Sequence, residues 1–462
     1  MNQKPVPRSD ATPASAVDAP IPADPAELLI TSATTIDGTI VDLEIVGGRI
    51  RSIRPAGTSH ASDDADIIDA TDLIVVPGLI NAHTHSPMVL MRGAAEDVDG
   101  ATWFNDRIWP MEANITPEHV LAGARLACAE MLLGGVTAFA DHYFHTPLIA
   151  QAARELGIRA DLAAAFFTEP GGVSRDAAFA DTVEVAEATD DLVRASVGPH
   201  AVGTVDDADL EAVTELSARL GIRVHLHASE SLDQTRAVQA ARGGRTPIRV
   251  LRDTGVLERG VLIAHGCGIL PDDADDLAAF ADRIAVASCP KGYLKQLVDP
   301  MTPAPLLRSL GVPLAIGSDG AASGNTLDVW ESARLTALTQ KRQAADATVL
   351  PVREALDAIW LGGAAALGRP ELGRIEVGAA ADLALVDVSG PHCRPMIDLA
   401  ATLLYAVSAR DVQTVIVGGR VVVRDRRLLT AALGELVAHA EALAPTLRAE
   451  GGTIAPSAGY GG

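Results

Sequence analysis

The sequence predicts an α/β fold: a (β/α)8 TIM-like barrel with a second, small β-sandwich domain formed from both chain ends. Three observations predict it. Eight short apolar runs in the middle of the chain alternate with helix-like segments, β-rich text of one vocabulary flanks them on both sides, and seven of the eight runs end in a polar or reactive residue. Strand–helix alternation implies parallel strands joined by helical crossovers, and eight such units close into a barrel. An open doubly wound sheet is the alternative, and the run ends argue against it. His85, His142, His200, His227, His265, Cys289 and Asp319 can converge only where all strand carboxyl ends meet at one face.

The elements follow in order. Residues 1–24 are rich in Pro, Ala, Ser and Asp without periodicity, the pattern of a flexible tail. Residues 25–78 carry LLITSATTI, TIVDLEIVGGRIRSI and IIDATDLIVV, which are β-branched and punctuated by Gly and Asp as strands with tight turns are. GAAADLALVDV and VQTVIVGGRVVVRDRRLL repeat that vocabulary within 375–430, so 25–78 and 375–430 together form the β domain. Between them, 79–374 holds LINAHTH, VTAFADH, IRADLAAAF, LVRASVGPH, IRVHLHAS, VLIAHG, RIAVASC and VPLAIGSDG, the eight barrel strands. TPEHVLAGARLACAEMLLGG opens with Thr-Pro and closes with Gly-Gly, as a helix does. Residues 431–462 are read as a C-terminal helix and tail.

Composition narrows the function. In 462 residues, 60 acidic against 37 basic side chains leave a net charge of −23 and no basic block. Such a surface is repelled by phosphate backbones and anionic lipid, which argues against nucleic acid and membrane partners. No run reaches the roughly 18–20 apolar residues of a membrane span, and the N-terminus lacks a signal-peptide core. The four cysteines are scattered with no CxxC spacing, as reduced thiols of a cytoplasmic protein are.

His83-Thr84-His85 closes the first run and His225-Leu226-His227 the fifth. Strand side chains alternate faces, so residues two apart both enter the barrel mouth. Imidazole nitrogen suits zinc or ferrous iron, and a catalytic site needs about three protein ligands with a position left for water. Asp319 adds a carboxylate after the eighth run. An HxH is often structural, and Asp before Gly is ordinary turn chemistry. Their joint occurrence at strand ends points to one divalent metal ion held by His83, His85, His227 and Asp319. His225 stays open as a ligand; His227 is favoured because Glu230 follows it, placed to move a proton between water and substrate. His265 can donate to charge developing at the attacked centre. None of the four lysines lies between His85 and His227, which leaves out a strand-four lysine bridging two metals and hence binuclear cyclic-amide hydrolysis.

PGLINAHTHSPMVLMRG, the HxxE of His227 to Glu230, AHG at His265 and SDGAASGN at Asp319 resemble the amidohydrolase superfamily. The closer likeness is to its mononuclear aminohydrolase branch, with S-adenosylhomocysteine/methylthioadenosine deaminases, guanine and 8-oxoguanine deaminases and triazine hydrolases. The resemblance covers nearly the whole chain. It implies His83, His85, His227 and Asp319 as ligands of one metal, zinc first and iron second. The implied reaction is hydrolytic deamination of a small-molecule aromatic heterocycle (a purine, pterin or nucleoside-like amine). In it Asp319 takes the water proton and passes it toward ammonia, Glu230 protonates the adjacent ring nitrogen, and His265 steadies the attacking oxygen. Glu112 and His200 match residues that face the sugar in nucleoside deaminases, and Trp103 is placed to stack on a base or sugar. A homo-oligomer is expected from the resemblance alone.

One segment departs from that pattern. Where nucleoside deaminases read HNPxSNLKL, this chain reads Ser288-Cys289-Pro290-Lys291-Gly292-Tyr293-Leu294-Lys295. A cation and a phenol at the rim would suit an oxo or anionic group on the substrate. Within the same fold the alternative reaction is removal of chloride or alkylamine from a triazine. A non-catalytic assembly protein is a further alternative, opposed by the complete ligand set.

Overall fold

The computed structural model describes residues 27–448 except 60, 61, 63, 64 and 169–172. The tail expected over 1–24 and the chain beyond 448 lie outside the described residues.

Eight parallel strands stand side by side in chain order: Leu79–Thr84, Val136–Tyr143, Arg159–Phe166, Val193–Pro199, Arg223–Ala228, Val261–His265, Ile284–Ser288 and Leu314–Ile316. We refer to them as barrel strands one to eight. Nearly every residue in them is buried, as strands covered on both faces require. Helices cross over outside. The one over Pro117–Leu133 starts where the Thr116 side chain accepts the His119 N–H and ends at Gly134. The one over Asp207–Leu220 is capped by Asp206 and stopped by Gly221 in the left-handed conformation.

The seam between strands one and eight nearly closes the barrel. The Asp319 N–H donates to the His83 carbonyl at 3.1 Å, and the Thr84 hydroxyl donates to the Asp319 carbonyl at 3.0 Å. The Asn81 amide donates to the Ser318 hydroxyl at 2.7 Å and accepts the Ser318 N–H at 3.0 Å. Interior positions are small: Ala82, Ala138, Ala140, Ala285, Ala287 and Ala315 pack with Ile80 and Leu262. Bulk is withheld from the barrel axis, so the side chains at the strand ends have room to lean inward.

Among the described residues, the second sheet has nine strands drawn from both ends of the chain. Glu27–Thr34, Ile40–Val46, Arg49–Pro55, Asp66–Asp69 and Leu73–Pro77 come from the first 77 residues; Leu383–Asp387, Val412–Val417, Arg420–Arg424 and Arg427–Leu428 return after the barrel. The halves join where Leu73–Pro77 pairs antiparallel with Leu383–Asp387. Arg159 on barrel strand three crosses to this sheet and binds Asp382 through Nε at 2.9 Å and Nη2 at 3.0 Å, with both side chains buried. A further helix covers Leu433–Leu443. Among the described residues, no helix is long and apolar enough to cross a membrane.

Candidate active site

His83 is the fifth residue of strand one and fully buried; His85 leaves the same strand on the same side. His227 is the fifth residue of strand five. The ring centroids of His83 lie 4.8 Å from His85 and 5.0 Å from His227. One ring nitrogen from each of these three histidines lies within 4.8 Å of the others. Their remaining nitrogens are all engaged. His85 Nδ1 donates to the His142 carbonyl at 2.6 Å, and His227 Nδ1 donates to the His200 carbonyl at 2.8 Å. His83 Nδ1 meets His225 Nε2 at 2.9 Å. For His85 and His227 this commits Nδ1–H and leaves Nε2 a bare lone pair, and His83 does likewise when its Nδ1–H donates to His225.

His83 Nε2 is buried with no hydrogen-bond partner among the described residues. An orphaned acceptor in a dry interior is costly, and a cation between the three rings would satisfy it. The donor set also fits: burial, with neighbouring histidines adding to it, holds His83 and His227 well below the usual imidazole pKa, in the neutral form that binds metal. These histidines can hold a single metal ion.

Asp319 follows strand eight, and its backbone sits in the left-handed region at φ 60°. That conformation costs a non-glycine residue about 1–3 kcal/mol and is held by the seam bonds and by the Gly320 N–H, which donates to Oδ1 at 2.7 Å. It turns the carboxylate inward, with Oδ1 3.4 Å from His85 Nε2 and 3.9 Å from His83 Nε2. His265 ends strand six with φ 74°, its ring parallel to that of His227 at 5.2 Å between centroids. Glu230 lies above, its Oε1 3.9 Å from His265 Nε2. Gln234 holds Glu230 at two points, accepting its N–H at 2.8 Å and donating to Oε2 at 3.2 Å.

All six residues expected at the metal and around the reacting carbon thus face one mouth. The candidate substrate residues stand further out. His200 stacks on Phe167 with ring centroids 4.2 Å apart, lies 5.0 Å from the His227 ring, and shares a hydrogen bond with the Thr204 hydroxyl at 2.8 Å. Glu112 is buried at the end of the short helix Trp109–Glu112, and burial pushes its carboxyl up to about 7, against the pull of Tyr143 and His85. Trp103 donates its indole N–H to the Ala322 carbonyl at 3.2 Å, tying the loop after strand one to the strand-eight side.

The departing segment is spent differently from the expectation. Lys291 forms an ion pair with Glu331 at 2.7 Å and donates to the Thr326 hydroxyl at 3.2 Å. Lys295 pairs with Glu96 at 2.8 Å. Tyr293 is 3% exposed and turned toward His265. The lysine charges serve the rim, because carboxylates remote in sequence stand opposite them. Sequence reasoning gave His142 only as a strand end, without a role, and passed over Asp141 and Gln234. Asp141 accepts the Ser86 N–H at 2.8 Å and so fixes the residue after His85. An Asp-His pair ending strand two was visible as a polar break in an apolar run, but its partner was not. His225, left open from the sequence, sits against His83 Nδ1 rather than among the three converging nitrogens.

Comparison with known proteins agrees with this geometry. The amidohydrolase family profile matches residues 74–422. The 5-methylthioadenosine/S-adenosylhomocysteine deaminase of Pelotomaculum thermopropionicum is 37% identical over 426 residues, covering 90% of this chain and 98% of that protein. The enzyme of the same name from Natronomonas pharaonis is 37% identical over 437 residues, covering 88% and 99%. Among solved structures, an adenosine deaminase from Xanthomonas campestris with bound zinc superposes with a TM-score of 0.86 at 34% identity, over 92% of this chain and 100% of that one. Atrazine chlorohydrolase from Arthrobacter aurescens, complexed with zinc, gives 0.82 at 27% identity over 90% and 100%. From the barrel, the converging histidines and this coverage, the chain belongs to the amidohydrolase family.

Proposed function

We propose that this enzyme hydrolytically deaminates a nucleoside-like amine of the 6-aminopurine type, releasing ammonia. The observation that carries the reading is the meeting of two sets at one mouth: three converging imidazoles with Asp319, and the Glu230–His265 pair beside them. The relatives' names supply the substrate class.

His83, His85, His227 and Asp319 would hold the metal, zinc being the first choice and iron the second. When bound it acts as a Lewis acid that makes water a nucleophile near neutral pH. The rest is done by the chain. Addition of water to the amino-bearing carbon forms a C–O bond and shifts the ring C=N electrons onto nitrogen, which needs a proton. Glu230, the most exposed of the group with 37% of its side chain accessible, is placed to give it. Asp319 takes the first proton lost by water and returns it to the amine, so that the C–N bond breaks to neutral ammonia; the second water proton leaves the oxygen as C=O forms and restores the Glu230 carboxyl. His265 donates through Nε2 to the oxygen as charge grows there. Glu112, His200 and Trp103 would form the sugar side. Its −23 charge and buried, unpaired cysteines suit a cytoplasmic enzyme with no nucleic-acid partner, and the likeness to the family suggests a homo-oligomer.

The likeness to a triazine hydrolase keeps one second reading, displacement of chloride from a triazine on the same site. A panel of adenosine, methylthioadenosine, S-adenosylhomocysteine, guanine, 8-oxoguanine, pterin, aminotriazine and chlorotriazine separates them, with ammonia, chloride and bound metal measured on one preparation. Ammonia from a 6-aminopurine nucleoside is expected; chloride release without ammonia from any purine would overturn the proposal.

A further inference from the structure

The buried phenol of Tyr293 lies in the segment that departs from the nucleoside-deaminase pattern. Its oxygen accepts the Cys289 N–H at 2.8 Å and stands 3.2 Å from His265 Nδ1. With one lone pair occupied by the Cys289 N–H, the phenol is free to donate its proton to that ring nitrogen, the Thr302 hydroxyl and Cys267 thiol being its other polar neighbours. Burial raises the phenol well above its usual pKa, so it keeps this proton. The His265 backbone is held as well: Thr302 donates its hydroxyl to the His265 carbonyl at 2.7 Å, securing a residue at φ 74°.

We propose that Tyr293 is a positioning residue that donates to His265 Nδ1 and thereby fixes the Nε2–H tautomer. A neutral imidazole carries one proton, and the partner of one nitrogen decides which nitrogen has it. With Nδ1 accepting from the phenol, Nε2 carries the proton and presents a donor toward Glu230 and the reacting oxygen. Without the phenol, the Nδ1–H tautomer becomes accessible and presents a lone pair where a donor is needed. The inference rests on the role given to His265 above.

The test uses the full-length, zinc-loaded protein labelled with 15N-histidine, the His265 signals being assigned by their loss in His265→Asn. The wild type is expected to show His265 protonated at Nε2 only, and Tyr293→Phe to show both tautomers. In the same variant kcat falls roughly 10- to 100-fold, the usual range for groups that orient an active-site ligand, with KM within about twofold and bound zinc unchanged. A proton found on Nδ1 in the wild type overturns the proposal without any variant. So does a Tyr293→Phe variant with full kcat, or one that loses zinc in proportion to activity, which would mark a merely structural role. If His265→Asn itself turns over normally, the reading of His265 fails; if it is inactive while Tyr293→Phe is not, only the role of Tyr293 fails.

Discussion

At the scale of single residues, the site works by committing one nitrogen of each imidazole so that the other is free. Backbone carbonyls do this for His85 and His227, and His225 is placed to do it for His83 by accepting from Nδ1–H. Removing a ligand therefore differs from removing a proton carrier. His83→Ala should lose both metal and turnover, whereas Glu230→Gln should keep the metal and lose about 10²–10⁴ in kcat; metal analysis beside initial rates distinguishes them. Asp161 gives a pH prediction away from the mouth. It is buried with a hydrogen bond from Ser196, and burial raises its pKa above the ordinary 3.8. Between 3.8 and that raised value the folded state holds a proton the unfolded state has lost, so stability falls as pH rises through this window. Asp161→Asn should remove that part of the slope, so that Tm measured from pH 4 upward declines less in the variant than in the wild type.

At the scale of elements, the strand ends carry the chemistry and the seam between first and last strands sets its accuracy. The π-type turn Ala358–Gly362 seals that seam from outside. A Cβ on Gly362 would stand 1.9 Å from the Leu314 carbonyl oxygen, and one on Gly363 2.6 Å from Ile80 Cβ. Two glycines let this helix touch strands eight and one together. Gly362→Ala should cost about 1–3 kcal/mol through overpacking, read as a lowered denaturation midpoint, and should loosen metal binding because Asp319 hangs from the same seam. The strand–helix alternation and the Thr116 and Gly134 helix ends were legible in the sequence, since period and caps are local properties. The two π-type turns, Trp103–Ile108 and Ala358–Gly362, were not, because an extra residue per turn is imposed by what packs against it.

At the scale of the whole molecule, the nine-stranded sheet ties chain ends that are hundreds of residues apart, and Arg159–Asp382 fastens it to the barrel. Asp382→Ala leaves a buried guanidinium without its carboxylate and should cost about 3–5 kcal/mol, measured by chemical denaturation with the metal site loaded. Chelation of the metal should lower Tm in wild type by mass action, since an ion held by the four proposed ligands, remote in sequence, would bind only the folded arrangement. By itself the sequence determined the fold class, the eight strands and the residues able to bind a metal, because those follow from local periodicity and from side-chain chemistry. The sequence already favoured His227 of the HLH pair; only the tertiary structure decided that His225 sits against His83 Nδ1, that Lys291 is neutralised by Glu331, and that Tyr293 faces His265. Those outcomes depend on partners distant along the chain, whose proximity exists only once the barrel has closed.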